Sequence, residues 1–171
     1  MSAGLKVLAP GLYATVQDLG RPGYQAIGVP VSGALDGVGL RLANALVGNP
    51  PGTPALEVLI SGPTFEVAAD TVRVALAGAG ASLAIGAGET RVEAGQSVTL
   101  PRGAVVEVVI GGQSACCYLA IEGGVAVPPV LGSASTYVRA ALGGLDGRVL
   151  RHGDFVPLMV GRASDRSELR L

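Results

Sequence analysis

Within five residues near the N-terminus, Gln17-Asp18-Leu19-Gly20-Arg21 sets an amide, a carboxylate and a guanidinium side by side. Such groups can orient a polar substrate, exchange a proton and clamp an anion. Gly20 and Gly23 permit tight turns and close backbone approach beside them. The segment Gly28-Val-Pro-Val-Ser32-Gly33-Ala-Leu-Asp36 follows and leads into a helical pattern. A helix N-terminus there offers N–H groups and partial positive charge to a carboxylate or phosphate. By spacing alone, plainer roles compete: Asp18 can pair with Arg21, and Asp36 can act only as the helix cap. Asn44 falls on the helix, and Glu57 interrupts the apolar run Leu56-Glu57-Val58. An acid in such a run faces outward or is buried with a partner, and the outward orientation is the commoner. Arg139, Arg148 and Arg151 bracket Gly143, Gly144 and Gly147, where they bind an anion or make a solvated turn.

The remaining standard chemistries are excluded one by one. Lys6 is the only lysine, so no P-loop is present. Gly78-Ala79-Gly80 is followed by Leu83 where a dinucleotide fingerprint needs its third glycine. The sole histidine, His152, lies in Arg151-His152-Gly153-Asp154, which reads as a surface turn rather than part of a triad. Cys116 and Cys117 are adjacent, too constrained for an ordinary bridge, and sit in an apolar run that reads as a buried strand. With one histidine and no C-x-x-C, no zinc site is expected.

The elements that must position these groups are β-strands. Of 171 residues, 49% are hydrophobic and only 15% are charged, against about 25% charged in an ordinary domain. With a mean hydropathy of +0.52, the chain can bury enough apolar surface to offset its ordering entropy, which excludes disorder. A net charge of −1 leaves no electrostatic footprint for nucleic acid or an acidic membrane. The longest charge-free stretches are broken by Gly or Pro, and Pro10-Gly11 interrupts any leader-like core, so a cytoplasmic protein without a membrane span is expected.

Short β-branched runs recur between Gly and Pro, at Leu5–Leu8, Ala55–Ile60, Thr64–Val67, Val72–Ala77, Ser82–Ile85, Thr90–Val92, Ser97–Leu100, Val105–Ile110, Cys116–Ile121 and Phe155–Val160. Alternation at Val72, Val74 and Leu76, with Arg73 opposite, predicts a half-buried strand. Continuous apolarity over Val105–Ile110 predicts a strand buried on both faces. One helix is expected after Asp36, with Val38, Leu42, Ala45 and Leu46 on its inner face and Gly48-Asn49-Pro50 as its stop. Ser135–Leu142 predicts a second, shorter helix. Residues 1–161 form one β-rich unit in this reading, and 162–171 form a polar tail or a truncated linker.

Several phrases, in order, resemble one family: Gln17-Asp-Leu-Gly-Arg21, Gly28-Val-Pro-Val-Ser-Gly-Ala-Leu-Asp36, Ala43-Asn-Ala-Leu-Val-Gly-Asn49, Ala55-Leu-Glu57, Tyr118-Leu-Ala-Ile-Glu-Gly-Gly124, Leu131-Gly-Ser-Ala-Ser-Thr136, Gly143-Gly-Leu-Asp-Gly-Arg148 and His152-Gly-Asp154. The set is similar to the biotin-dependent carboxyltransferase, or allophanate hydrolase subunit 2, family, which includes the C-type subunit of 5-oxoprolinase. The resemblance runs from about Leu5 to Leu158 and implies a mainly β, cyclophilin-like barrel architecture with one or two short helices. It implies an enzyme subunit that works with a B-type, or subunit 1-type, chain of the same family, and in oxoprolinase members with an A-type chain as well. ATP, or carboxybiotin, would be used by the complex and neither bound by this chain alone.

The activity implied first is ATP-dependent opening of 5-oxoproline to glutamate. The alternatives are a carboxyltransferase acting on urea-like substrates and a non-catalytic regulator of a kinase-inhibitor-like partner. In the first reading Asp18 and Arg21 orient or activate substrate, and Ser32 with the N–H groups near Asp36 holds an oxyanion or carboxylate. Gln17, Asn44, Glu57, Arg139 and Arg148 contact substrate or support those groups. The chain departs from the family pattern at Ala134 and Cys116, where arginine is frequent, and at Ala26, where a basic residue is frequent. Family chains usually carry a second β-rich half.

Overall fold

The computed structural model describes residues 3–86 and 88–171. In chain order the elements are β1 (Gly4–Ala9), β2 (Tyr13–Gln17), α1 (Gly37–Leu46), β3 (Ala55–Leu59), β4 (Thr64–Val67), β5 (Thr71–Ala77), β6 (Ser82–Ile85), β7 (Thr90–Glu93), β8 (Ser97–Pro101), β9 (Val105–Val109), β10 (Cys116–Ile121) and β11 (Phe155–Pro157). They form two antiparallel sheets, ordered β11-β1-β4-β9-β6-β7 and β2-β3-β10-β5-β8. The inner faces of both meet in one core, with Val7, Phe65, Leu83 and Val108 from the first sheet and Val16, Leu56, Leu76 and Leu119 from the second. The expected mainly β, barrel-like architecture is what the chain adopts.

Period-two alternation sorts the second sheet into two functions. On β2, Ala14 and Val16 enter the core while Thr15 and Gln17 face outward. On β3, Leu56 and Val58 enter the core and Ala55 and Glu57 face outward. The register sets Thr15, Glu57, Tyr118 and Ala77 in one row across the sheet. Helix α1 covers that outer face, packing Leu40, Ala43, Leu46 and Val47 on Ala55, Ala75, Ala77, Ala120 and Tyr118. The small alanines let the helix approach closely.

Four strands depart from expectation. Strand β2 is additional, because its core residues Ala14 and Val16 make only a weak apolar signal. Strand β11 stops at Pro157 rather than Val160. Strand β5 is buried on both faces, since α1 covers Ala75 and Ala77. Strand β9, continuous in apolarity, instead leaves Glu107 exposed and Val105 and Val109 half-buried. Neighbouring elements decide burial of a second face, and the strand's own periodicity does not report them.

The helix begins where expected, with Asp36 as its cap, but it turns the other way. Leu40, Ala43, Asn44 and Leu46 are buried, whereas Val38, Leu42 and Ala45 are exposed. Both sides of α1 are apolar, so spacing cannot choose between them. Around Ser135–Leu142 only a single 3-10 turn, Val138–Ala140, forms. The start of that segment is held extended: Thr136 donates its N–H to the Val16 carbonyl at 2.9 Å.

Residues 163–171 are not a free end. Arg73, 3% exposed, donates to Glu122 Oε2 at 2.9 Å, to Ser164 Oγ at 3.3 Å and to the Ser164 and Arg166 carbonyls. Ala163 N–H reaches Thr71 Oγ1 at 3.0 Å, and Ser97 N–H and Leu171 N–H bond the carbonyls of Leu169 and Gly95. The segment thereby pairs with edge strand β8 and covers backbone groups that would otherwise be open.

Candidate functional site

The end of β2 delivers Gln17 and Asp18 to the segment 130–136, more than a hundred residues away in sequence. Asp18, 9% exposed, is the hub. Its Oδ1 accepts from Gly20 N at 2.7 Å, from Ser133 Oγ at 2.6 Å and from Ser135 Oγ. Its Oδ2 accepts from Ala134 N at 2.7 Å. Ser135 Oγ also accepts from Asp18 N at 3.1 Å, and Ser135 N donates to Ser133 Oγ at 3.0 Å. The two hydroxyls are thus held by both their protons and their lone pairs.

Gln17 Nε2 donates to Thr15 Oγ1 at 3.1 Å and to the Thr136 carbonyl at 3.2 Å. Arg21 is 1% exposed and donates Nε to the Val130 carbonyl at 3.2 Å and Nη2 to the Ser135 carbonyl. The simple Asp18–Arg21 pair does not form. Both side chains address the same loop, and no carboxylate bridges Arg21 among the described residues. Three buried polar atoms of this region lack partners: Gln17 Oε1, Arg21 Nη1 and Ser32 Oγ.

Glycines make the close packing possible. Gly20 has φ +88°, and a Cβ there would lie 2.7 Å from the Val31 carbonyl oxygen. Gly143 has φ +66°, and a Cβ would run into the Ser135 carbonyl and the Arg21 guanidinium. Ser32 adopts φ +56°, a conformation uncommon outside glycine. A cavity of about 390 Å³ opens beside Asp18, walled by Thr53, Val125, Val127, Ala134 and Met159. Among the described residues, Asp18 is the only charged one on its wall.

A second buried carboxylate lies under α1. Glu57, 6% exposed, accepts from Tyr118 Oη at 2.6 Å and from Leu35 N at 2.7 Å through Oε2. Tyr118 Oη accepts in turn from Asp36 N at 2.7 Å. Burial, then the bond to Glu57, pushes the Tyr118 phenol above its ordinary pKa. Glu57 therefore takes the buried, partnered orientation rather than the solvated one. The Asp36 carboxylate accepts from Val38 N and Gly39 N at 2.9 and 3.0 Å. Those N–H groups are consequently taken by the cap rather than offered to a ligand. Asn44 is fully buried: Nδ2 donates to the Thr53 carbonyl at 2.9 Å and Oδ1 accepts from Asn49 Nδ2 at 3.0 Å. Asn49 continues the network to the Ile121 carbonyl and Gly123 N–H.

Arg139 is exposed on the Val138–Ala140 turn. Arg148 is paired, at 2.6 and 2.9 Å to Asp154 and 3.3 Å to Asp146, so it is not an open anion site. His152 Nδ1 bonds the Leu8 carbonyl at 2.7 Å in an exposed turn, as expected. Burial pushes the Cys117 thiol up to about 12 and raises that of Cys116. Among the described residues no cluster of His, Cys, Asp and Glu could hold a metal, and no helix is long and apolar enough to cross a membrane.

The geometry thus gathers Gln17, Asp18 and Arg21, leaves Ser32 on the neighbouring neck of chain, and separates Asp36, Asn44, Glu57, Arg139 and Arg148 from the cavity wall. Ser133, Ser135, Thr136 and Tyr118 join these networks without standing out as functional in the sequence. Hydroxyl spacing in Ser133-Ala-Ser135-Thr136 was the available signal.

A family model for the carboxyltransferase domain, subdomains A and B, matches residues 27–170. The C-type subunit of Escherichia coli 5-oxoprolinase is 42% identical over 160 residues, covering 90% of this chain and 49% of that protein. Urea amidolyase of Lachancea kluyveri is 41% identical over 152 residues, covering 87% of this chain and 8% of that protein. The crystal structure of Kluyveromyces lactis urea carboxylase superposes with a TM-score of 0.88 at 37% identity, over 97% of this chain and 14% of that one. The chain therefore spans about half the length of the oxoprolinase relative and a small part of the urea enzymes.

Proposed function

Because the chain belongs to the carboxyltransferase-domain family, we propose that it acts as one component of a 5-oxoprolinase-like amidohydrolase that opens 5-oxoproline to glutamate with ATP. The observation that carries this reading is the cavity beside Asp18. Its volume is of small-molecule size, and its walls are apolar apart from one carboxylate and a few small polar groups. Asp18 Oδ1 accepts three hydrogen bonds, but Oδ2 accepts one, from Ala134 N. A carboxylate oxygen has two lone-pair sites, so Oδ2 can also receive the N–H of a lactam.

Asp18 then orients the scissile amide, while Gln17 and Arg21 hold the 130–136 loop that forms the wall. Nucleotide chemistry belongs to a partner chain in this reading. The residues here do not fit a triphosphate: the Asp36 carboxylate occupies the start of α1, and Arg148 is paired with Asp154. B-type and A-type chains of the oxoprolinase complex are the proposed partners, in the cytoplasm.

The test is reconstitution with those partners and assay of ATP-dependent 5-oxoproline cleavage. Wild type should turn over, and Asp18→Asn should lose at least tenfold while still assembling. Unchanged turnover in an assembled Asp18→Asn complex would end the assigned role.

One observation favours a second reading. Among the described residues, the cavity wall offers no cation to meet the carboxylate of 5-oxoproline. A neutral, urea-like acceptor needs none, and carboxybiotin held by an accompanying domain would then be the donor. Urea-dependent activity with a biotin-carrying partner, and none with 5-oxoproline, would select it.

A further inference from the structure

Each sheet ends in two edge strands, and backbone groups left open on an edge can template pairing with another chain. Three of these edges are covered. Ser97 N–H on β8 bonds the Leu169 carbonyl, Thr136 and Leu150 N–H groups bond the Val16 and Ala14 carbonyls of β2, and Ala126 N–H bonds the Pro157 carbonyl of β11. Strand β7, at the far end of the first sheet, is the exception: among the described residues no backbone group pairs with its outer side.

The hydrogen-bond phase shows what that side presents. Ala94 N–H donates to the Ala81 carbonyl at 2.9 Å, and Gly86 N–H donates to the Val105 carbonyl at 3.0 Å. Antiparallel partners alternate between hydrogen-bonded and non-hydrogen-bonded pairs. With Leu83 opposite Val92 and Ala84 opposite Arg91, Val92 therefore bonds inward to β6, while Arg91 and Glu93 direct their N–H and C=O groups outward. The Arg91 and Glu93 side chains share the outer face of the sheet, 56% and 60% exposed, with Nε 3.2 Å from Oε1. Val92 points the other way and is half-buried against the core, as is Ile85.

We propose that β7 is the pairing edge for a second copy of this chain, antiparallel about a twofold axis at Val92. In that register Arg91 of each copy lies opposite Glu93 of the other. Both residues carry outward backbone groups, so these are hydrogen-bonded pairs, and each also sets an acid against a base across the strands. Val92 meets Val92 of the second copy and covers the open end of both cores. Charge selects this occupant. One base and one acid two residues apart complement themselves when the strand is reversed, and a twofold interface needs that self-matching because the same patch serves both partners. One short strand pair is a small interface, so the dimer is reversible. The inference concerns an open edge and not the substrate, so it stands apart from the oxoprolinase reading.

Sedimentation of this chain over a concentration series is the test. Wild type should dimerise reversibly. Arg91→Glu and Glu93→Arg each set like charges opposite one another and should each weaken the dimer roughly tenfold or more. Both side chains are exposed, so each variant should melt within a few degrees of wild type. An equimolar mixture of the two single variants restores the acid–base match in both pairs and should associate about as tightly as wild type. The double variant Arg91→Glu/Glu93→Arg should do the same. Wild type that stays monomeric would overturn the proposal, as would a dimer indifferent to either reversal. A mixture that fails to associate would overturn it too, because a dimer formed through any other surface has no reason to be rescued by the exchange.

Discussion

Among the described residues two carboxylates are buried, Asp18 and Glu57, and they are used differently. Asp18 ties the end of β2 to a distant loop and also borders a cavity. Glu57 ties the sheet to the start of α1 and lies away from that cavity. Each is stabilised by hydroxyl and backbone donors instead of a cation, as buried acids without a paired charge must be. The difference lies in what remains accessible once the donors are satisfied. A carboxylate with an open neighbour can meet a ligand, whereas one under a helix can only hold the helix.

The contrast is testable from its strongest consequence downward. Asp18→Ala strands the donors of Gly20, Ser133, Ala134 and Ser135. It should cost roughly 3–5 kcal/mol in denaturant unfolding, with loss of activity in any reconstituted complex. Glu57→Gln should cost less, about 1–3 kcal/mol, because an amide oxygen in the place of Oε2 can still accept from Tyr118 Oη and Leu35 N, and only the charge assistance of those bonds is lost. Once folded, the Glu57 variant should keep reconstituted activity within about twofold of wild type, since a group away from the ligand cavity does not orient substrate. Equal activity losses at Asp18 and Glu57 would dissolve the distinction. Asp36→Ala removes the cap that both Val38 N and Gly39 N use. It should lower stability by about 1 kcal/mol in thermal melts without changing turnover.

The smallest effect concerns a carboxylate outside both clusters. Hydrogen bonding to Arg148 holds Asp154 below its ordinary pKa. A depressed folded-state value contributes stability above the unfolded value, near ~3.9, and loses it as pH falls through the lower folded value. Melting temperature should therefore fall more steeply below about pH 4 in wild type than in Asp154→Asn. Identical acid limbs would show that the Arg148 pair contributes nothing measurable.

Much of the sheet could be read from local alternation: β4, β6 and β10 begin and end where the β-branched runs do. Strand β2 could not, because Ala14 and Val16 are small members of a mixed pentamer whose burial depends on the facing sheet. The Asp36 cap was legible from residue type and position. The orientation of α1 was not, because a helix apolar on both sides carries no internal signal for which side the Ala75–Ala77–Ala120 surface will take. At the candidate site, Gln17, Asp18 and Arg21 stood out as a cluster in a chain poor in charge. Their real partners, Ser133, Ser135 and Thr136, lie more than a hundred residues away. Spacing sees neighbours along the chain and not across it.

By itself the sequence determined the β class, the helix cap, the absence of the common nucleotide and zinc motifs, and the family whose phrases it carries in order. Those properties depend on local sterics, periodicity and residue chemistry, which act over a few positions. Tertiary structure alone decided that Asp18 and Arg21 serve one loop rather than each other, that Glu57 is buried against Tyr118, and that Val38 and Leu42 face solvent. Each of these outcomes depends on which distant donor or apolar surface desolvates a side chain first, and that is a property of the packed fold.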